Sequence, residues 1–206
     1  MEKQEKSKII EIIEWIKINR KQVFTTLISV IVVALIIVFV CVRIHLVNVA
    51  ASDELNFATA TISSGDLDKG LDLLDKVIDN YKNTPAAYRA LLMKTNNLIY
   101  QKKFDEAESL LKIYIEKAKP KIVRPIGYPL LITIYDDTNN IEQAIAISKE
   151  FLSKYPDNYL APSVMDNMAR LYELSGKTEE AKQVYKDIVD KFFGTIYANK
   201  ASDKLK

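Results

Sequence analysis

Two patterns of apolar and polar residues divide this chain. The first is unbroken: residues 23–42, VFTTLISVIVVALIIVFVCV, carry no charge and lie between Lys21 and Arg43. At about 1.5 Å per residue, a helix of that length spans roughly 30 Å, the hydrocarbon thickness of a bilayer. The run predicts a transmembrane helix over residues 23–46. Residues 1–22 form a basic head ahead of it. Within the head, residues 8–19 (KIIEIIEWIKIN) read as a helix with Ile9, Ile12, Ile13 and Ile16 on one stripe and Trp15 beside it. Such a helix is either the lead-in to the span or a segment lying on the membrane surface, since tryptophan favours the headgroup level.

The second pattern is periodic. Four segments of the remaining chain, residues 65–81, 102–118, 139–155 and 176–192, align on Gly70, Ala107, Ala144 and Ala181, each 37 residues after the last. Three residues on stand Leu73, Leu110, Ile147 and Val184. Seven on stand Val77, Tyr114, Phe151 and Ile188, and eight on Ile78, Ile115, Leu152 and Val189. These offsets trace one face of a helix. Five residues before each small position come Gly65, Lys102, Asn139 and Gly176, of which all but the lysine tolerate a left-handed turn. Acidic residues follow (Asp66, Asp105, Glu142, Glu179), where they favour the dipole of a starting helix. A second apolar stripe precedes each turn, at Ala58 and Thr61, Thr95 and Leu98, Ile132 and Tyr135, and Ala169 and Tyr172. Each unit is therefore a helix A, a tight turn and a helix B, with prolines in the connections. The small column is where A and B cross closely.

Four hairpins in one register predict an all-α fold: a single N-terminal transmembrane helix, then an α-solenoid stabilised by nearest-neighbour stacking. The repeat domain is expected over residues 50–206, with units at about 52–83, 85–119, 125–156 and 161–193. A capping helix is expected at 195–206, in which Ile196, Tyr197, Ala201 and Leu205 cover the last hairpin while Lys200, Asp203, Lys204 and Lys206 face water. The units resemble tetratricopeptide repeats. The fourth, MDNMARLYELSGKTEEAKQVYKDIV, has Ala169, Tyr172, Gly176, Ala181 and Tyr185 in that family's pattern, and the third has Tyr128, Leu131, Ile132, Tyr135, Ala144 and Pro156. The second departs from it: Lys94 and Thr95 stand where an apolar and a small residue are usual. The 37-residue spacing exceeds the usual 34, which places the extra residues in longer connections.

Charge sets the topology expected. Of 29 Lys and Arg and 27 Asp and Glu, seven and four fall in residues 1–48, leaving 22 and 23 for the rest. Six of those seven basic residues precede the apolar run, so the positive-inside rule puts the head in the cytoplasm and the repeats outside. The near-neutral repeat region lacks the one-signed basic surface that nucleic acid needs. Val49-Ala50-Ala51 before Ser52 fits a cleavage site, but the apolar core is longer than a cleaved signal needs, which favours an uncleaved anchor. Thr25, Thr26 and Ser29 can hydrogen-bond a neighbouring helix or their own backbone.

The candidate chemistry is sparse. The only cysteine and the only histidine, Cys41 and His45, lie in or beside the apolar run, so the repeats have no Cys or His for nucleophilic catalysis or zinc. Paired carboxylates such as Asp136-Asp137 and Glu179-Glu180 fall in turns and first helical turns, where acids serve the dipole. No phosphate loop or nucleophile elbow is present. The tyrosines, Tyr100 and Tyr159 among them, mostly match repeat columns, so core packing explains them first. No cofactor, metal or enzymatic activity is expected.

The resemblance implies a concave binding face lined by the A helices. It places Arg89, Leu92, Asn96, Ile99 and Tyr100 there from the second unit, Thr133 and Asp136 from the third, and Asp166, Arg170 and Glu173 from the fourth. This mixed set suits an extended peptide or a helix in a groove. The partners expected are proteins or peptides, with the membrane held through residues 23–46. The layout as a whole looks like that of the YfgM-like ancillary subunits of the Sec translocon, which implies a scaffold beside the translocon and periplasmic chaperones. The alternative is a structural adaptor of an envelope assembly that self-associates.

Overall fold

The computed structural model describes residue 11 and residues 13–206, all of whose regular elements are helical. Ile9 and Ile12 of the head stripe lie outside the described residues. The chain divides into two compact units, Met1–Val49 and Ala50–Lys206.

In the first unit, residues 13–18 are helical, and helix α1 (Arg20–Ser63) carries the apolar run. An 18-residue window of α1 reaches a mean hydropathy of 3.2 with none of it buried, and its leucines, isoleucines and valines stand exposed. The expected boundaries at residues 46 and 50 fall inside this helix. No glycine or proline occurs between Arg20 and Ser63 to interrupt the hydrogen-bond ladder. Three hydroxyls in the run bond to their own backbone. Thr25 donates to the Lys21 and Gln22 carbonyls (2.9 and 3.0 Å), Thr26 to that of Gln22 (2.8 Å) and Ser29 to that of Thr25 (2.9 Å).

The second unit starts with the end of α1 and continues through α2 (Leu67–Asn80), α3 (Pro85–Tyr100), α4 (Phe104–Lys117), a 3-10 helix (Lys121–Ile126), α5 (Gly127–Asp137), α6 (Ile141–Lys154), α7 (Ala161–Leu174), α8 (Thr178–Lys191) and α9 (Ile196–Lys204). Sequential helices pack on one another, the pattern of stacked hairpins. Ala51, Leu55 and Ala58 of α1 are buried with Leu74 and Val77 of α2 and with Ala86 and Ala90 of α3, so the end of α1 serves as the first A helix. One large cluster then runs from Leu98 to Ala201. A smaller one around Tyr88, Leu91, Tyr114 and Ala118 shares Ile78 with the first and Leu92 and Leu110 with the second, so the core is continuous along the stack. Each fully buried Leu or Phe in it contributes about 1.5–3 kcal/mol.

The four turns between A and B helices share one backbone conformation. Gly65, Lys102, Asn139 and Gly176 have φ of 96°, 58°, 58° and 74°. The lysine thus takes the same left-handed turn as its equivalents. Asp66 caps α2, its carboxylate accepting from the Lys69 N–H (3.3 Å), while Asp105, Glu142 and Glu179 sit in the first turns of α4, α6 and α8. Gly70, Ala107, Ala144 and Ala181 are all buried. At Gly70 an added Cβ would lie 2.2 Å from Ile62 Cγ1 and 3.2 Å from the Ile62 backbone N, so the helices there meet at a distance only glycine permits.

The two departures in the second unit are absorbed locally. Lys94 pairs with Asp75 on α2 at 2.5 Å, and Thr95, fully buried, returns its hydroxyl to the Leu91 carbonyl at 2.8 Å. Two side-chain expectations need correction. Tyr100 and Tyr159 are 87% and 76% exposed and serve no core. Ile196, at the first position of α9, is 77% exposed; Ala198 and Ala201 cover the last hairpin instead, with Tyr197 and Leu205 packed at its border.

Candidate functional site

The A-helix residues expected on the inner face fall into two groups. On α3, Arg89, Asn96 and Tyr100 recur at intervals of seven and four residues, which sets them in one exposed stripe. Leu92 and Ile99 flank it half-buried, resting against the core. On α5, Thr133 is exposed and donates to the Pro129 carbonyl at 3.0 Å.

The charged residues of the third and fourth units are held by the chain itself. Asp136 on α5 pairs with Arg170 on α7. Arg170 is fixed further by Asn167, whose side-chain oxygen accepts from its Nη2 at 2.6 Å and its Nε at 3.2 Å. Asp166 accepts from Lys200 Nζ of α9 at 2.6 Å, and Glu173 accepts from Lys204 Nζ at 3.1 Å. These three contacts form rungs between successive inner helices. Lys200 and Lys204 make these contacts while remaining exposed to water. The phenol of Tyr185 stands in the same field: burial first, then the Glu173 and Asp166 carboxylates, pushes it up to about 12, while Arg170 pulls the other way. Lys200 and Lys204 were missed as members of this face. For Lys200 the signal was arithmetic: Arg170 and Lys200 each follow their acidic partner by 34 residues, about one repeat.

A second concavity lies between α4 and α6, with α5 as its floor and the 3-10 helix at one end. It encloses about 520 Å³ and is lined by Ile115, Leu131, Ile147 and Tyr155 with Lys112, Arg124, Glu150 and Lys154. Three of its polar groups meet at Glu150. Tyr128 donates to Glu150 (2.9 Å), and Lys154 to Glu150 (2.8 Å). The hydrogen bond from Lys154 holds the Glu150 carboxyl below its usual range, which keeps it ionised and engaged. A general acid needs a raised carboxyl, so this carboxylate has the wrong setting for that role. Among the described residues, no group of three His, Cys, Asp or Glu side chains is placed to hold a metal ion.

Helical hairpins stacked in one register, turned at equivalent left-handed positions, are the geometry of a tetratricopeptide array. The tetratricopeptide repeat-like domain profile matches residues 14–202. The chain belongs to the tetratricopeptide repeat-like family. Solved structures of tetratricopeptide proteins share the fold. The TPR-like repeats of a putative kinesin light chain from Podosopora anserina are 13% identical over 77% of this chain and 84% of that one, with a TM-score of 0.57. A tetratricopeptide repeat protein from Parabacteroides merdae is 15% identical over 75% of this chain and 58% of its own, with a TM-score of 0.61. MamA AMB-1 is 21% identical over 70% and 74%, with a TM-score of 0.54. None of the curated proteins compared with the chain matches it. At these identities the likeness concerns the tetratricopeptide fold alone.

Proposed function

We propose that this tetratricopeptide protein is a membrane-tethered, non-enzymatic scaffold that binds a protein or peptide segment on the inner face of its repeats. The observation that carries the reading is the stripe of Arg89, Asn96 and Tyr100. These side chains are exposed and, among the described residues, form no ion pair or side-chain hydrogen bond, in an array whose other inner-face charges are already engaged. A guanidinium, a carboxamide and a phenol on one ridge supply donors, acceptors and an aromatic surface, the chemistry that grips an extended peptide or a helix.

The exposed apolar stretch of α1 is the tether in this reading. The six basic residues ahead of it support a cytoplasmic head and extracytoplasmic repeats, at a bacterial inner membrane. Tethering confines the repeats to a surface and raises their effective concentration toward membrane partners. Such a layout suits assistance to protein translocation or to a periplasmic chaperone network. The hydroxyls of Thr25, Thr26 and Ser29 already bond within the helix, which supports an anchor that needs no second helix.

Photo-crosslinking in intact membranes tests the scaffold. A crosslinker at positions 89, 96 and 100 captures one common protein, and at Lys149 and Lys186 on the outer helices it captures none. Equal capture from both sets, or none from the first with the repeats folded, overturns the reading. Exchanging residues 23–42 for an unrelated span of equal length leaves that capture intact if the anchor is passive.

A further inference from the structure

Each connection between units places a residue at the same offset, the fifth after its B helix. These are Pro85 after α2, Ile122 after α4, Tyr159 after α6 and Ile196 after α8. The last three are 81%, 76% and 77% exposed, and Phe193 beside Ile196 is 90% exposed. A single exposed apolar side chain needs no explanation, but three at one repeat position recur along one edge of a stacked array. The same edge is basic around Ile122, and it also carries the exposed Asp79, Glu116, Asp157 and Asp190. Lys117, Lys119 and Lys121 flank Ile122, all exposed and, among the described residues, none paired with a carboxylate, and Arg124 donates to the Ala118 carbonyl. The opposite edge, where A turns into B, carries Asp66, Asp68, Asp137, Glu142, Glu179 and Glu180.

We propose that the edge bearing Ile122, Tyr159 and Ile196 lies on a lipid surface containing anionic headgroups. The proposal rests on the reading that residues 23–42 cross a membrane. The edge is the one where A helices begin, at Pro85, Gly127 and Ala161, and the repeat unit itself begins there, at Ala50. Val42, the end of the apolar run, precedes Ala50 by eight residues, a chain length that reaches at most about 28 Å. The chain therefore enters the repeat unit on this edge and not on the acidic one. Isoleucine, tyrosine and phenylalanine side chains beside lysines are the composition of an interfacial contact. Each lysine held against an anionic surface favours the bound state about fivefold. The acidic edge would be repelled by the same headgroups.

The test uses the full chain, with Cys41→Ala, in vesicles of phosphatidylethanolamine and phosphatidylglycerol and in vesicles of phosphatidylcholine alone. Single cysteines replace Ile122, Tyr159 or Ile196 on this edge, and Glu142 or Glu179 on the other. Each carries an environment-sensitive dye, and nitroxide lipids serve as quenchers. Headgroup-level nitroxide quenches the first three labels and spares the other two. Lys119→Glu with Lys121→Glu reduces quenching at position 122 in the anionic vesicles only. Labels on both edges behaving alike, or charge reversal without effect, overturns the proposal. So does a label at 122, 159 or 196 that aqueous iodide cannot reach and lipid nitroxide does not quench, because a protein then covers the edge. A dye at Ile36→Cys, read against deep nitroxide, reports the span separately: loss of that signal removes the membrane reading itself, whereas its presence without edge quenching removes only the surface contact.

Discussion

The smallest residues set the spacing of the array. Ala144 and Ala181 are buried on the B helices at the positions equivalent to Gly70. Ala144→Glu or Ala181→Glu is expected to cost several kcal/mol, about 3–5, from overpacking and an unpaired buried carboxylate. A thermal melt of the purified chain checks this, and an unchanged melting temperature would remove the register. Lys102 makes the opposite case. Its φ of 58° is the left-handed region that side chains disfavour, its side chain is exposed, and glycine occupies the equivalent position twice. Lys102→Gly is expected to stabilise by about 1 kcal/mol, since the strain it relieves outweighs the added freedom of the unfolded chain. Urea unfolding reads that shift directly.

Among the elements, α2 is poorly matched to its own charges. Asp68, Asp72, Asp75 and Asp79 follow one another at intervals of four, three and four residues, so like charges line one face. Asp75 is neutralised by Lys94, but Asp79 stands exposed in the last turn, where a carboxylate opposes the helix dipole and no basic residue offsets it. Asp79→Lys should raise stability by about 0.3–1 kcal/mol, visible as a higher urea midpoint at low salt that converges with the parent at high salt. The helices themselves were legible in the sequence because each carries two independent signals, a period near 3.6 and a turn residue at a fixed offset. The side chains at their ends were less so. Period matching shows that Tyr159 and Ile196 occupy equivalent positions, but not that the position faces outward, because the connections follow no helical period. The ion pairs of α5, α7 and α9 escaped for a related reason. Whether Asp166 meets water, a partner or Lys200 depends on how neighbouring hairpins stack, and that is a long-range property.

For the whole molecule, polar links between helices make stability depend on pH at the alkaline end. Burial, followed by the bond to Glu150, raises Tyr128 to about 12, and burial with Glu173 raises Tyr185 to about 12. Phenols in the unfolded chain ionise near 10. The stabilisation is therefore complete below about pH 10 and is lost as pH climbs toward about 12, because the unfolded state releases its protons first. Urea midpoints measured across that window should fall in the parent chain and fall less in the Tyr128→Phe, Tyr185→Phe double variant. The carboxyls of Glu108 and Glu150, lowered mainly by hydrogen bonds from Lys112 and Lys154, act at the other extreme, where stability is lost as pH drops through their depressed values.

The rungs on the inner face also bear on how such a protein can change in length. Repeat arrays grow by duplication, and any unit that offers the same surface at both ends can be copied in place. Here the fourth unit is closed by α9, which spends Lys200 and Lys204 on Asp166 and Glu173. A unit added after residue 193 would have to evict that helix and leave two carboxylates without their cations, whereas a unit inserted between earlier hairpins would leave the closure untouched. Extension past residue 193 thus carries a cost in ion pairs that insertion between earlier hairpins does not.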